Sequence, residues 1–214
     1  MVNRYCSLQE VSDYLDLSLN DTDYPKRSLV EDWITASEDD IDSYTQKTFD
    51  LGTETEVLSP QVTSNTFFLK RTPIVSITSI SYNSNGDTFA PTWTALSASD
   101  YVIEDANSGL IRTKEYFFGT KQLQIIYTGG NSVSEIPLLI REICLAMVKK
   151  RYFESIIGIS SLDTELVSIS SIRVVEKSAD GLKFAIKSLD TEIKEKLRKL
   201  SSNRSSRIFS IGVY

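Results

Sequence analysis

The sequence predicts an α+β fold: a helical bundle with an inserted small antiparallel β unit and a C-terminal extension. Three observations carry that expectation. Between residues 8 and 45, apolar side chains recur at the 3.6-residue spacing of a helix. Beyond residue 50 the period drops to two, and short β-branched or aromatic runs alternate with turn residues. At Ile136 the helical spacing returns and holds one face as far as Tyr152. The expected organisation is an N-terminal helical part at 1–50 and a β insertion at 51–133. A helix at 134–157 then packs on the N-terminal helices, followed by an arm, helix and tail at 158–214.

Ser7-Leu8-Gln9-Glu10 is a capping box. The Ser7 hydroxyl accepts from the third helical amide while the Glu10 carboxylate reaches back to the cap amide. Leu8, Val11, Tyr14 and Leu15 follow at helical spacing, so a short helix is predicted to end near Leu17, before Asn20-Asp21-Thr22-Asp23. A second helix is predicted over about 25–45, with Leu29, Val30, Trp33, Ile34, Ser37, Ile41 and Tyr44 on one side. Glu31 and Asp32 sit in its early turns, where negative charge suits the helix dipole. Both helices are amphipathic and need a packing partner.

Strands are predicted at 57–58, 66–69, 74–82, 101–104, 110–113 and 122–127. In the third of these, Val75, Ile77 and Ser79 alternate with Ile74, Ser76, Thr78 and Ile80. Asn83-Ser84-Asn85-Gly86-Asp87 carries the Asn-Gly reverse-turn signal. Asn107-Ser108-Gly109 makes another turn, and Thr128-Gly129-Gly130-Asn131 closes the section. Short strands with turn chemistry between them point to a small antiparallel sheet or barrel-like unit.

The third helix has Ser134 as a cap and Pro137 near its first turn, where a missing amide costs little. Ile136, Leu139, Ile140, Ile143, Met147, Val148 and Tyr152 form its apolar face, ending near Ser155. This is expected to be the central packing helix. A serine-bearing loop at 158–164 and an extended segment at 168–175 follow. The last helix is predicted over 189–200, capped by Ser188, with Leu189, Ile193, Leu197 and Leu200 along one face. A serine-rich linker from Ser201 then leads to an apolar tip.

Composition leans against an enzyme. The 214 residues include no histidine, which removes the usual general base, metal ligand and pH switch together. Two cysteines, Cys6 and Cys144, cannot make a thiolate cluster for zinc or iron–sulfur. They could pair as a disulfide, although two reduced thiols are the plainer account. No secretory signal is visible at the N-terminus, and no uncharged run approaches the length of a membrane span. A cytosolic origin is expected.

The chemical motifs are weak. Glu38, Asp39, Asp40 and Asp42 invite a metal reading, but consecutive helical residues fan out by about 100° each and cannot converge on one ion. A solvated helix face is expected there. Asp21-Thr22-Asp23 lacks the glycine and distal glutamate of a calcium loop. The Gly129-Gly130 segment precedes a helix without any phosphate-loop lysine and reads as a turn. No catalytic residue, cofactor or metal is expected.

Charge is distributed unevenly. The net charge is −6, yet residues 1–60 hold four basic against fourteen acidic residues, and residues 183–214 hold eight against three. Lys194, Lys196, Arg198 and Lys199 read as the wet side of the last helix. Arg204 and Arg207, with Ile208, Phe209, Ile211, Val213 and Tyr214, make a basic, apolar-tipped tail suited to docking on an acidic partner. Charge would steer the encounter and burial would complete it.

Three pieces occur in a telling order. Helical Ser7 to Leu15 and Leu29 to Thr45 come first. The β insertion is entered by Pro73-Ile74-Val75-Ser76-Ile77-Thr78-Ser79-Ile80 and left by Leu123-Gln124-Ile125-Ile126-Tyr127-Thr128-Gly129-Gly130. Ile136-Pro137-Leu138-Leu139-Ile140-Arg141 then opens a long helix finishing at Arg151-Tyr152-Phe153-Glu154. This order, over roughly residues 5–157, resembles the head–tail connector, or adaptor, proteins of tailed bacteriophages. It departs from them in extra sequence around 83–100 and a longer C-terminal tail.

The resemblance implies a structural virion protein of the phage neck, made in the host cytoplasm. It implies a ring, commonly of twelve copies, between the portal protein and the stopper or tail-completion protein, with viral DNA passing through without sequence-specific binding. The tail would dock on the portal. Two other readings stay open: a different neck protein, such as a stopper or tail-completion protein, and a nucleic-acid-binding module using the Lys/Arg tail.

Overall fold

The computed structural model describes residues 4–20, 22, 24–119, 122–160 and 179–208, with the backbone alone at 159, 160, 179 and 201–208. The chain forms two units. One, helical, is Met1–Thr45 with Pro137–Tyr214; the other, the β unit, is Gln46–Ile136.

The helical unit contains α1 (Leu8–Leu15), α2 (Arg27–Thr45), α3 (Leu138–Ser160) and α4 (Ala179–Ile208). The capping box of α1 forms as expected, with the Glu10 amide donating to Ser7 Oγ at 3.2 Å and the Ser7 amide to Glu10 Oε2 at 2.7 Å. Asp16, left-handed at φ 54°, ends it. On α2 the buried residues are Val30, Ile34, Ser37, Glu38, Ile41 and Thr45, a stripe at helical spacing that faces α3. Trp33 meets Tyr152 across the pair, ring centroids 6.3 Å apart.

Helix α3 is central, since no residue from Leu139 to Phe153 is exposed. It packs against α1, α2 and α4. A helix enclosed on several sides needs apolar residues around most of its circumference, and Ile140, Ile143, Cys144, Ala146, Val148 and Tyr152 supply them. Its start differs from expectation. Ser134 lies in a 3-10 turn, Val133–Glu135, and the Pro137 carbonyl accepts from the Ile140 and Arg141 amides, so Pro137 itself stands at the cap.

Helix α4 is longer than predicted at both ends. It begins at Ala179 rather than 189, and the serine-rich stretch expected as a linker is helical to Ile208. No proline or glycine interrupts the chain between Gly181 and Gly212, and serine lowers helix propensity only modestly. Leu182, Leu189, Ile193 and Leu197 are buried along one stripe. Each such side chain contributes roughly 1.5–3 kcal/mol through burial. Helix α3 likewise continues to Ser160, through part of the predicted 158–164 loop. The rest of that loop and the segment expected at 168–175 lie outside the described residues.

The inserted β unit is not small. Seven strands make two antiparallel sheets: β1 (Gly52–Leu58), β2 (Ser64–Phe68), β3 (Ile74–Asn83), β4 (Trp93–Ala95), β5 (Tyr101–Asp105), β6 (Leu110–Phe117) and β7 (Leu123–Gly129). One sheet has the order β1-β7-β3-β4 and the other β2-β6-β5. The sequence underestimated it because β1 is mostly Thr and Glu, without the apolar alternation that marks a strand, and β4 is three residues long. Their pairing comes from neighbours: β1 runs in unbroken register with β7, from Gly52↔Gly129 to Leu58↔Leu123.

Strand β7 alternates strictly, burying Leu123, Ile125, Tyr127 and Gly129. Leu123, Ile125 and Tyr127 join Phe67, Leu69, Ile74, Ile80, Ile111 and Phe117 in one core. Strand β3 does not keep the predicted alternation, because register shifts between Ile74/Ser76 and Ile77/Ser79 reset its phase. The Asn-Gly turn falls inside a longer loop, since Asn83 already pairs with Trp93. At the closing turn Gly130 has φ 92°, and a Cβ there would lie 1.9 Å from the Asp50 carbonyl oxygen. Only glycine fits that approach.

Candidate functional site

The acidic run of α2 is the expected solvated face only in part: Asp39 and Asp40 are exposed, Asp42 is half-buried and Glu38 is buried. Glu38 is 2% exposed, and Oε1 accepts from the Arg4 and Tyr5 amides at 2.7 and 2.8 Å. The Arg4 guanidinium pairs with Glu38 at 3.3 Å, Asp39 at 2.6 Å and Asp42 at 2.8 Å, while Tyr5 Oη donates to Asp42. Asp40 points elsewhere, to Arg151 at 2.6 Å. Three of the carboxylates that cannot share an ion, Glu38, Asp39 and Asp42, thus share the segment ahead of α1. Burial raises the Glu38 pKa against the lowering pull of the two amides and Arg4. Burial likewise opposes the Arg4 charge, but Asp42, Tyr5 and Glu38 outweigh it and hold the guanidinium above its ordinary value.

The clamped segment places one more group. Cys6 and Cys144 are both buried, and their Sγ atoms lie 2.8 Å apart although 138 residues separate them in sequence.

A second polar cluster ties the β unit together. Glu56, on β1, accepts from the Lys70 amide at 2.8 Å and from Tyr127 Oη on β7. Burial first, and then the bond to Glu56, raise the Tyr127 pKa. Arg71 pairs with Asp50 at 3.0 Å and Glu54 at 3.4 Å. These acids are committed to holding strands. Among the described residues no group of three His, Cys, Asp or Glu side chains is placed to bind a metal ion.

An open depression of about 380 Å³ lies on the β2-β6-β5 sheet, lined in part by Tyr101, Val102, Arg112, Lys114 and Tyr116. Its cations are neutralised locally, Arg112 by Glu104 and Lys114 by Asp100 at 3.5 Å. The loop between β3 and β4 is built by side-chain acceptors: Asn85 Oδ1 takes the Asp87 and Thr92 amides, and Asp87 Oδ1 those of Phe89 and Ala90. It presents Phe89 with 99% of its surface in solvent. The turn signal at Asn85-Gly86 marks the loop in sequence, but no local pattern marks Phe89 as exposed.

Lys194, Arg198 and Lys199 are exposed and Lys196 is half-buried, the wet side of α4 that was expected. Lys196 pairs with Glu142 of α3 at 3.0 Å and Glu192 at 2.8 Å, Lys199 with Glu195 at 3.1 Å, and Lys194 with Asp190 at 2.5 Å. Hydrogen bonds from Lys194 and Lys150 lower the Asp190 pKa to about 2. Of the tail residues expected to dock, Arg204, Arg207 and Ile208 fall on the α4 backbone, without described side chains. Phe209, Ile211, Val213 and Tyr214 lie outside the described residues. Among the described residues no helix is long and apolar enough to cross a membrane.

No family model matches the chain, and no curated protein does. Solved structures do. A chain from the neck of an empty gene transfer agent particle, computed with sixfold symmetry, shares the fold with TM-score 0.52 and 15% identity, over 88% of this chain and 94% of that one. A chain from the virion of a native gene transfer agent particle has the same TM-score and identity, over 86% of this chain and 88% of that one. The likeness spans both the helical elements and the β elements, and what it establishes is a common fold.

Proposed function

We propose that this chain is a non-catalytic structural protein of the neck of a phage-like particle. Within the neck it acts as an adaptor: copies stand side by side in a ring between portal and stopper, and DNA passes through. The observation that carries this reading is the fold shared with a neck chain across nearly the whole length of both proteins. The helix–sheet–helix order of the sequence supports it independently. So does the charge, since acidic excess in residues 1–60 disfavours adhesion of DNA, which carries about one negative charge per 1.7 Å. The tail from Arg204 to Tyr214 docks on the portal.

Deleting residues 203–214 tests the tail. The truncated protein is expected to keep its far-ultraviolet circular dichroism and to lose attachment to portal-bearing capsids, scored by co-sedimentation. Undiminished attachment would refute portal docking. Negative-stain images with and without portal test the ring: a ring on the portal supports the adaptor role, and binding to completed heads alone favours a stopper.

A further inference from the structure

We propose that Cys6 and Cys144 form an intramolecular disulfide that clasps the segment ahead of α1 onto α3, making this pair an oxidative modification site. The geometry carries the inference. The two Sγ atoms are 2.8 Å apart in a buried site, and a bond requires about 2.05 Å. Cys6 is not on a loose end. Its neighbours Arg4 and Tyr5 are fixed by backbone hydrogen bonds to Glu38, and Arg4 by ion pairs to three carboxylates of α2. Cys144 sits on α3, the most enclosed helix, with no exposed surface. The chain has no third cysteine, so within one molecule neither thiol has another partner.

The chemistry needs a small disulfide oxidant such as oxidised glutathione. The Cys6 thiolate attacks one sulfur of the oxidant, forming a mixed disulfide and expelling a glutathione thiolate, which takes up a proton. Cys144 then loses its proton and attacks the Cys6 sulfur. The protein S–S bond forms, the mixed disulfide breaks, and a second glutathione leaves. In sum the protein loses two hydrogens and one oxidised glutathione becomes two reduced ones. The hydrogen bond with Cys6, and then burial, hold the Cys144 thiol above its ordinary pKa, which keeps it from the first attack while the pair is closed. The first step requires the 4–7 segment to lift, so it proceeds through local opening. The reduced pair belongs to a reducing compartment and the bonded pair to an oxidising one.

The test uses the purified full-length chain, incubated across a series of oxidised-to-reduced glutathione ratios, quenched in acid, and alkylated with iodoacetamide in denaturant. The expected product carries no alkyl group, has lost two hydrogens, and gives one cross-linked peptide pair containing Cys6 and Cys144. Its urea midpoint exceeds that of the reduced chain and returns on adding dithiothreitol. Cys6→Ser and Cys144→Ser yield no internal cross-link. Three results would overturn the proposal: two alkylated thiols at ratios that cross-link the urea-unfolded chain, glutathione adducts or inter-chain links as the main product, or an internal bond that leaves the midpoint unmoved.

Discussion

Glu38 shows how much one side chain decides. A carboxylate in the second half of a helix has no capping role there, and beside Asp39, Asp40 and Asp42 it reads as surface. Tertiary structure instead gives it two amides and a guanidinium to satisfy. Glu38→Ala is expected to leave the Arg4 and Tyr5 amides without this acceptor and to lower stability by about 1–3 kcal/mol, read from urea unfolding. An unchanged midpoint would mean that the 4–7 segment is held by other contacts. The sign of the pH dependence also follows. With its pKa raised in the fold, Glu38 binds its proton longer in the native state than in the unfolded one. Its contribution is therefore fully present below the ordinary carboxylate value of about 4.3 and is lost as pH rises through the folded value. Glu38→Gln, neutral throughout, should flatten that decline.

Helices α3 and α4 illustrate what a whole element adds. The joint between them combines a buried stripe with surface ion pairs, and magnitudes separate the two. Ile193 is 5% exposed and Lys194, next in sequence, projects into solvent with an Asp190 partner. Ile193→Ala is expected to cost about 2–5 kcal/mol through lost burial and the cavity left behind. Lys194→Ala should cost less than about 1 kcal/mol, because an exposed ion pair is screened. Paired thermal melts of the two variants decide this; equal losses would show that α4 is held mainly by charge. The stripe itself was legible, since Leu189, Ile193 and Leu197 stand at helical spacing with strong flanking propensity. The helix ends were not. Nothing in the residues around 179 or 201 marks a boundary as a proline would, so the extent of α4 follows from context.

For the whole molecule, a net charge of −6 places a constraint on any encounter with nucleic acid. The full chain is expected not to shift duplex DNA in gel assays at low salt, where counterion release most favours binding. A tight complex weakening steeply with added salt would instead revive the nucleic-acid-binding reading and remove the support that acidity lends to a DNA conduit.

The sequence by itself determined the order of helix, sheet and helix, the amphipathic faces of α1, α2 and α4, and six of the seven strand positions, because each is written in local periodicity and turn chemistry. It also determined the absence of histidine and the uneven charge. Tertiary structure alone decided that β1 reaches back to Gly52, that β4 is a strand, that β3 changes phase at its bulges, and that Glu38 is a buried clamp. It alone brought Cys6 beside Cys144. These outcomes share one physical reason: each depends on a partner far along the chain, through a ladder hydrogen bond, an ion pair or a sulfur contact, and spacing within a segment does not encode a partner outside it.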